Sequence, residues 1–302
     1  MMTCFPRRLP AFRPALVIAA AALLGASAVG GQQTFPAPAI AAPEAGAPAY
    51  ADLADLLLAS TVVADVTVRS TARIKGAEAA SAPAGTQRQY VEADVNALLR
   101  SPSPLPPRVG YLFDVPLDAR GRAPKLKRSR VLVFARPVSG SPGQLQLAAR
   151  DAQAPWSPAA EARVRRIARE LASADAPPAI TGVGQAFHVP GSLPGEGETQ
   201  IFLRTADNRP VSLSVLRRPG EERRFAVALS EIIDEAAGPP RRDTLLWYRL
   251  ACALPAQLPA TATGQLDDQN AALAREDYAF VFQRLGPCGR TRAALTGSSQ
   301  TL

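Results

Sequence analysis

Histidine occurs once in the 302 residues, at His188, and lysine three times, at Lys75, Lys125 and Lys127; there are three cysteines, two methionines and 6% aromatic residues. A serine or cysteine hydrolase built on this chain would have to work through that one imidazole. Cys-x-x-Cys pairs, heptads and internal repeats are missing, and Gly182-Val183-Gly184 lacks the third glycine, the following helix and the downstream acid of a dinucleotide site. A tight turn or bulge accounts for those two glycines, and nothing in the chain calls for a cofactor. Beyond the first thirty residues no stretch is apolar enough to span a bilayer.

What the chain does have is arginine. The 34 basic residues against 26 acidic give a formal charge of +8, with arginine supplying all but three of them, and alanine and proline are also heavily used. That combination is what GC-rich coding writes by default, so the charge alone does not mark a nucleic-acid surface. An apolar fraction of 47% with 20% charged residues is ordinary for a soluble globular protein, and the length allows two modest domains.

The compartment is written at the start. Arg7, Arg8 and Arg13 precede an apolar run from Ala15 to Leu24, after which Gly25, Ala26, Ser27 and Ala28 offer a cleavage site. A basic start, a short apolar run and a small-residue exit make a secretory signal over residues 1–31, whose apolar run falls short of the ~20 residues that a span needs. Arg7-Arg8 lacks the rest of a twin-arginine context, and no cysteine follows for lipidation. The mature chain is therefore expected to be periplasmic or secreted, with no transmembrane span. Cys4 leaves with the signal, and the remaining pair, Cys252 and Cys288, is expected to form a disulfide in an oxidising compartment.

Residues 32–49 are alanine, proline and glycine with one charge, Glu44, and read as a linker. Tyr50 to Ala59 puts Leu53, Leu56 and Leu57 on one side of a helix and Asp52 and Asp55 on the other. Runs rich in β-branched residues then recur at 61–68, 89–95, 109–115, 131–134 and 145–147, separated by stretches of proline and glycine. Five short strands so connected predict a small barrel or sandwich. Ser157-Pro158 opens a helix whose apolar face is Val164, Ile167, Ala168 and Leu171, and Asp175 to Pro178 closes it. With its closing Val131-Leu132-Val133-Phe134 strand, the segment 60–150 resembles the five-stranded oligonucleotide/oligosaccharide-binding barrel, in particular its netrin-like form. The resemblance implies a barrel and assigns no binding residue.

A second domain is expected over 176–295, with a tail at 296–302. Thr199 to Arg204, Val211 to Val215 and Phe225 to Leu229 alternate with a period of two, and Asp207-Asn208 and Pro219-Gly220 supply turns between them, which makes a three-stranded meander. Residues 243–254 are apolar without a period and fit a buried helix or a strand. Ala274, Tyr278, Val281, Phe282 and Leu285 share one face of a last helix that Gly286-Pro287 stops. This half resembles exported bacterial proteins that carry no assigned activity. The fold class is thus mainly β with a few packing helices (α+β): an OB-like barrel domain with flanking helices over 50–175, then the meander domain with C-terminal helices.

Two groups of residues could carry function. His188, Glu196 and Glu198 fall within eleven residues and form a workable metal or acid/base set, but their spacing matches no zinc motif, and a satisfied histidine beside a solvated acidic turn is the preferred reading. Ser192 lies near His188 but lacks the Gly-x-Ser-x-Gly elbow of a strained nucleophile. Arg120, Arg122, Lys125, Lys127, Arg128 and Arg130 place six cations in eleven residues between two strands. Without aromatic residues beside them they lack the stacking half of single-strand recognition, so anionic lipid or envelope polysaccharide is the expected partner if the loop binds anything. The sequence points to a non-catalytic binding or structural component of the cell envelope. An envelope hydrolase or metal-dependent enzyme centred on His188, Glu196 and Glu198, and a peripheral binder of anionic surfaces, are the alternatives.

Overall fold

The computed structural model of the chain describes residues 48–230 and 238–292. The expected signal, nearly all of the linker and the expected tail at 296–302 lie outside the described residues. What is described is mainly β, with four helices.

The first half is a closed five-stranded barrel. Its strands β1 (Val62–Arg73), β2 (Thr86–Arg100), β3 (Arg108–Pro116), β4 (Arg130–Pro137) and β5 (Gln144–Leu147) follow the order β1-β2-β3-β5-β4, and β4 pairs back to β1 from Val62↔Ala135 to Thr67↔Arg130. Three register shifts in β1 against β2 bend the strand enough to close the circle. The interior is narrow, so small β-branched residues fill it: Val62, Val66, Val68, Val91, Val109 and Val133 are buried there. A short strand absent from the sequence reading, β6 (Gln153–Pro155), adds beside β4.

The run Val131 to Phe134 is apolar without alternation because both faces of β4 are covered. Val133 points into the barrel, while Leu132 and Phe134 join a larger cluster beneath helices α1 (Tyr50–Ala59) and α2 (Pro158–Ala172). Ser157 caps α2 by accepting from Ala160 N at 3.1 Å. The same cluster continues across position 175 into the inner face of a second sheet, so the halves share one core.

That sheet is antiparallel with the order β10-β9-β8-β7, from β7 (Ile180–Pro190), β8 (Gly197–Thr205), β9 (Val211–Arg217) and β10 (Arg224–Ala228). It has one strand more than the expected meander. β7 was hidden by its polar, glycine-rich composition and by two breaks in register, between Ile180 and Gly182 and between Val183 and Ala186. The open choice at 243–254 resolves as α3 (Leu245–Ala251), where Thr244 caps the helix and burial on several sides erases the period. Helix α4 (Asp268–Leu285) covers the sheet and ends at Gly286 with φ 70°, and Cys252 is bonded to Cys288.

One expectation is corrected at α1. Asp52 does not face water, because the segment after α4 returns across it. Thr291 N and Arg292 N both donate to Asp52 at 3.0 Å, and Arg290 Nε and Tyr248 OH both donate to Asp55 at 2.5 Å. The acids are the polar partners of the chain's own C-terminal segment.

Candidate functional site

A groove of about 590 Å³ lies on the outer face of the barrel, where β3 and β5 part. These two strands pair only at Gly110↔Gln144 and Tyr111↔Leu145, and beyond that point their separation opens the wall. Arg88 and Tyr90 of β2, Leu112 and Asp114 of β3, and Gln144 and Gln146 of β5 line it, with Val138 and Arg150 at its margins, the latter donating to Ser81 O at 3.3 Å. Alternation along β2 and β3 sends these residues outward while Val91 and Val109 fill the barrel.

The polar groups of the groove are pre-set. Arg88 donates from Nε and Nη2 to the two oxygens of Asp114 at 2.8 and 2.9 Å, and from Nη1 to Glu78 O and Ser81 Oγ. The charges cancel and the guanidinium is fixed. Gln144 Nε2 donates to Tyr90 OH at 2.9 Å, and the phenol crosses the bare face of Gly110, where an added Cβ would stand 2.1 Å from the Tyr90 oxygen. Tyr111 is buried and donates to Gln153 Oε1 at 2.7 Å; burial raises its pKa far above that of an ordinary phenol. Leu112 remains 50% exposed on the groove floor.

No protein-family model matches this chain, and no curated protein matches it in sequence.

The set His188, Glu196 and Glu198 is not brought together. His188 is on β7 facing inward, 6% exposed, and Glu198 is on the outer face of β8, accepting from Ser214 Oγ at 2.7 Å. Glu196 folds back on its own turn and accepts from Ser192 N and Leu193 N. Among the described residues no group of three His, Cys, Asp or Glu side chains could hold a metal. Phe187 and Val189, the apolar neighbours of the histidine, point to solvent at 37% and 64% exposure, the reverse of the usual pattern.

His188 instead ends a buried chain of hydrogen bonds. Thr199 Oγ1 donates to Asp277 Oδ2 at 2.5 Å, so its oxygen is left to accept the Nδ1 proton of His188 at 2.7 Å. Arg217 Nε reaches both oxygens of Asp277 at 2.8 and 3.0 Å, and Arg223 Nη1 reaches one at 3.3 Å. Thr199 and Asp277 are fully buried. The imidazole packs on Gly197, whose missing side chain makes room for it. Sequence reasoning missed Asp277, Thr199 and Arg217. The legible trace was an acid at Asp277, three residues after Ala274 and four before Val281, inside the apolar stripe of α4.

Burial of the ring, first, and the nearby Arg217 lower the pKa of His188, against the opposing pull of Asp277 and Asp267. The folded protein thus gives up this proton at a lower pH than the unfolded chain does. Below the unfolded value of ~6.5 the unfolded state binds more protons, so stability is full above that pH and falls as the medium is acidified through the folded pKa. Urea midpoints measured across roughly pH 5 to 8 should show that fall, and His188→Gln should flatten it. An unchanged slope in the variant would assign the titration elsewhere.

The six cations of 120–130 divide by role. Arg130 is structural: Nη2 meets the buried Asp65 at 2.6 Å, and its guanidinium carbon lies 3.5 Å from the centroid of Trp156. Arg120, Arg122, Lys125, Lys127 and Arg128 are exposed, with Arg122 drawn to Asp118 at 3.3 Å.

Proposed function

We propose that this chain is a non-catalytic binding protein of the cell envelope whose barrel groove holds a short stretch of neutral polysaccharide. The observation that supports it most is the cancelled pair Arg88–Asp114 within a 590 Å³ groove, beside a tyrosine, two glutamines and exposed leucine. A site with a few fixed polar groups on an apolar floor suits a ligand with both characters. Sugar rings present carbon–hydrogen faces to Leu112 and Val138, and hydroxyls to Tyr90, Gln144 and Gln146. The Cys252–Cys288 bond is compatible with an oxidising compartment, which is where such a ligand is found.

The test is titration with neutral oligosaccharides of a few sugars, beside uronic-acid oligomers of equal length, followed by calorimetry. Gln144→Ala removes one ligand contact and frees Tyr90, and should weaken binding by about threefold to tenfold, the worth of a hydrogen bond. Leu112→Arg fills the groove and should abolish binding while leaving the melting temperature unchanged. Equal affinity in Leu112→Arg and the parent would remove the groove from consideration, and preference for the acidic oligomers would overturn the neutral-ligand assignment.

A further inference from the structure

Lysine is rare in this chain, and all three lysines stand in two neighbouring loops. Lys75 is in the loop 74–85 between β1 and β2; Lys125 and Lys127 are in the loop 117–129 between β3 and β4. Antiparallel pairing brings both loops to the same end of the barrel. Their roots are tied: Leu117 N donates to Gly85 O at 2.9 Å, Val68 N to Ser129 O at 2.9 Å and Arg128 N to Val68 O at 2.7 Å.

Arg73, Arg120, Arg122 and Arg128 share this rim, and all seven cations are exposed. Two acids, Glu78 and Asp118, stand against them. Asp118 is taken up by Arg122 and by the backbone N–H groups of Arg120 and Arg122. Among the described residues no carboxylate pairs with the other six cations. Arginine is spread along the whole chain, so its position carries little information. The three lysines, by contrast, all fall on this one rim, where the rest of the chain uses arginine alone.

We infer that this rim docks on an anionic bilayer surface and takes the phosphate groups of its lipid headgroups. Lysine is a compact point charge on a flexible stem, suited to mobile headgroups, whereas fixed forked recognition selects arginine. Neither loop contains an aromatic residue on which a nucleobase could stack. Ala123 and Leu126 pack against the barrel core and hold the stretch that carries Lys125 and Lys127 to the rim. The seven charges act additively at a charged surface, at about 1 kcal/mol for each residue that reaches it. The rim adjoins the groove, whose Arg88 and Arg150 donate to Glu78 O, Ser81 Oγ and Ser81 O of the β1–β2 loop, but its charges do not depend on the groove's ligand.

The experiment is sedimentation of the full chain with phosphatidylcholine vesicles, with and without phosphatidylglycerol, at low and high salt. The triple variant Lys75→Gln, Lys125→Gln, Lys127→Gln is compared with Arg169→Gln, Arg218→Gln, Arg275→Gln, which removes the same charge from exposed sites elsewhere. All three proteins keep the N-terminal apolar run, so differences among them read the rim. At about fivefold for each residue, the lysine variant should lose roughly 100-fold in partition onto anionic vesicles. The arginine variant should bind as the parent does, all three should melt alike, and binding should weaken steeply with salt. An equal loss in both variants would mean that net charge alone acts, and overturns the inference. So would parent binding that is indifferent to phosphatidylglycerol, displacement by inorganic phosphate at matched ionic strength, or lysine-dependent binding of a single-stranded DNA oligomer without vesicle binding.

Discussion

Asp277→Ala is expected to cost the fold about 3–5 kcal/mol, the penalty for breaking a buried ion pair by removing one partner. The carboxylate has no exposure, and it is the common acceptor for Thr199, Arg217 and Arg223. Without it the Arg217 guanidinium, whose side chain is 15% exposed, keeps only Glu276 and Leu273 O on the solvent side of α4. The Thr199 hydroxyl loses its acceptor, and with it the reason for the His188 ring to stand as it does. Guanidinium denaturation should show a lower midpoint with an unchanged slope. Replacing Asp277 with leucine and Arg217 with methionine together removes both charges and should recover much of the loss, because the desolvation cost disappears with the attraction. A cost below about 1 kcal/mol for Asp277→Ala would mean that Arg217 escapes to water and that the cluster is not an anchor between the sheet and α4.

The barrel was legible because its strands are runs of valine and other β-branched residues divided by proline and glycine, and the structure extends them without moving them. β7 was not, since Phe187 and Val189 face water and His188 faces the core. A reading that takes apolar residues as the buried ones inverts that strand. The same assumption put Asp52 on the solvent side of α1 and passed over Asp277 in the stripe of α4. In each case the acid is inside because partners far along the chain meet it: Thr291 and Arg292 for Asp52, Thr199 and Arg217 for Asp277.

Functional surfaces were harder to read for a related reason. Tyr90 and Gln144 are 54 positions apart, and only the register of β2 against β3 and β3 against β5 sets them in one groove. The cationic loop was visible in the sequence as a run of charge. Its extension to Arg73 and Lys75 depended on closure of the barrel, which carries the β1–β2 loop alongside it. Local composition reports a loop, whereas a surface is made by the pairing of distant strands.

Replacing Cys252 and Cys288 with serine is expected to destabilise the protein by about 4 kcal/mol in the chain-entropy account of a loop of 36 residues. The bond joins the end of α3 to the residues just past α4, where Trp247 Nε1 also donates to Leu285 O at 2.8 Å. From that junction the chain runs on to Arg290, Thr291 and Arg292, which satisfy Asp55 and Asp52 on α1. The disulfide therefore fixes the point from which a strap reaches back to the first helix. Asp52→Ala in the oxidised protein leaves the N–H groups of Thr291 and Arg292 without their acceptor and should cost about 1–3 kcal/mol. If the bond positions the strap, the same substitution should cost less when the cysteines are already serine, with an interaction of at least ~0.5 kcal/mol in a double-mutant cycle. Strictly additive losses would show that the strap holds to α1 unaided and that the disulfide stabilises through the unfolded chain alone.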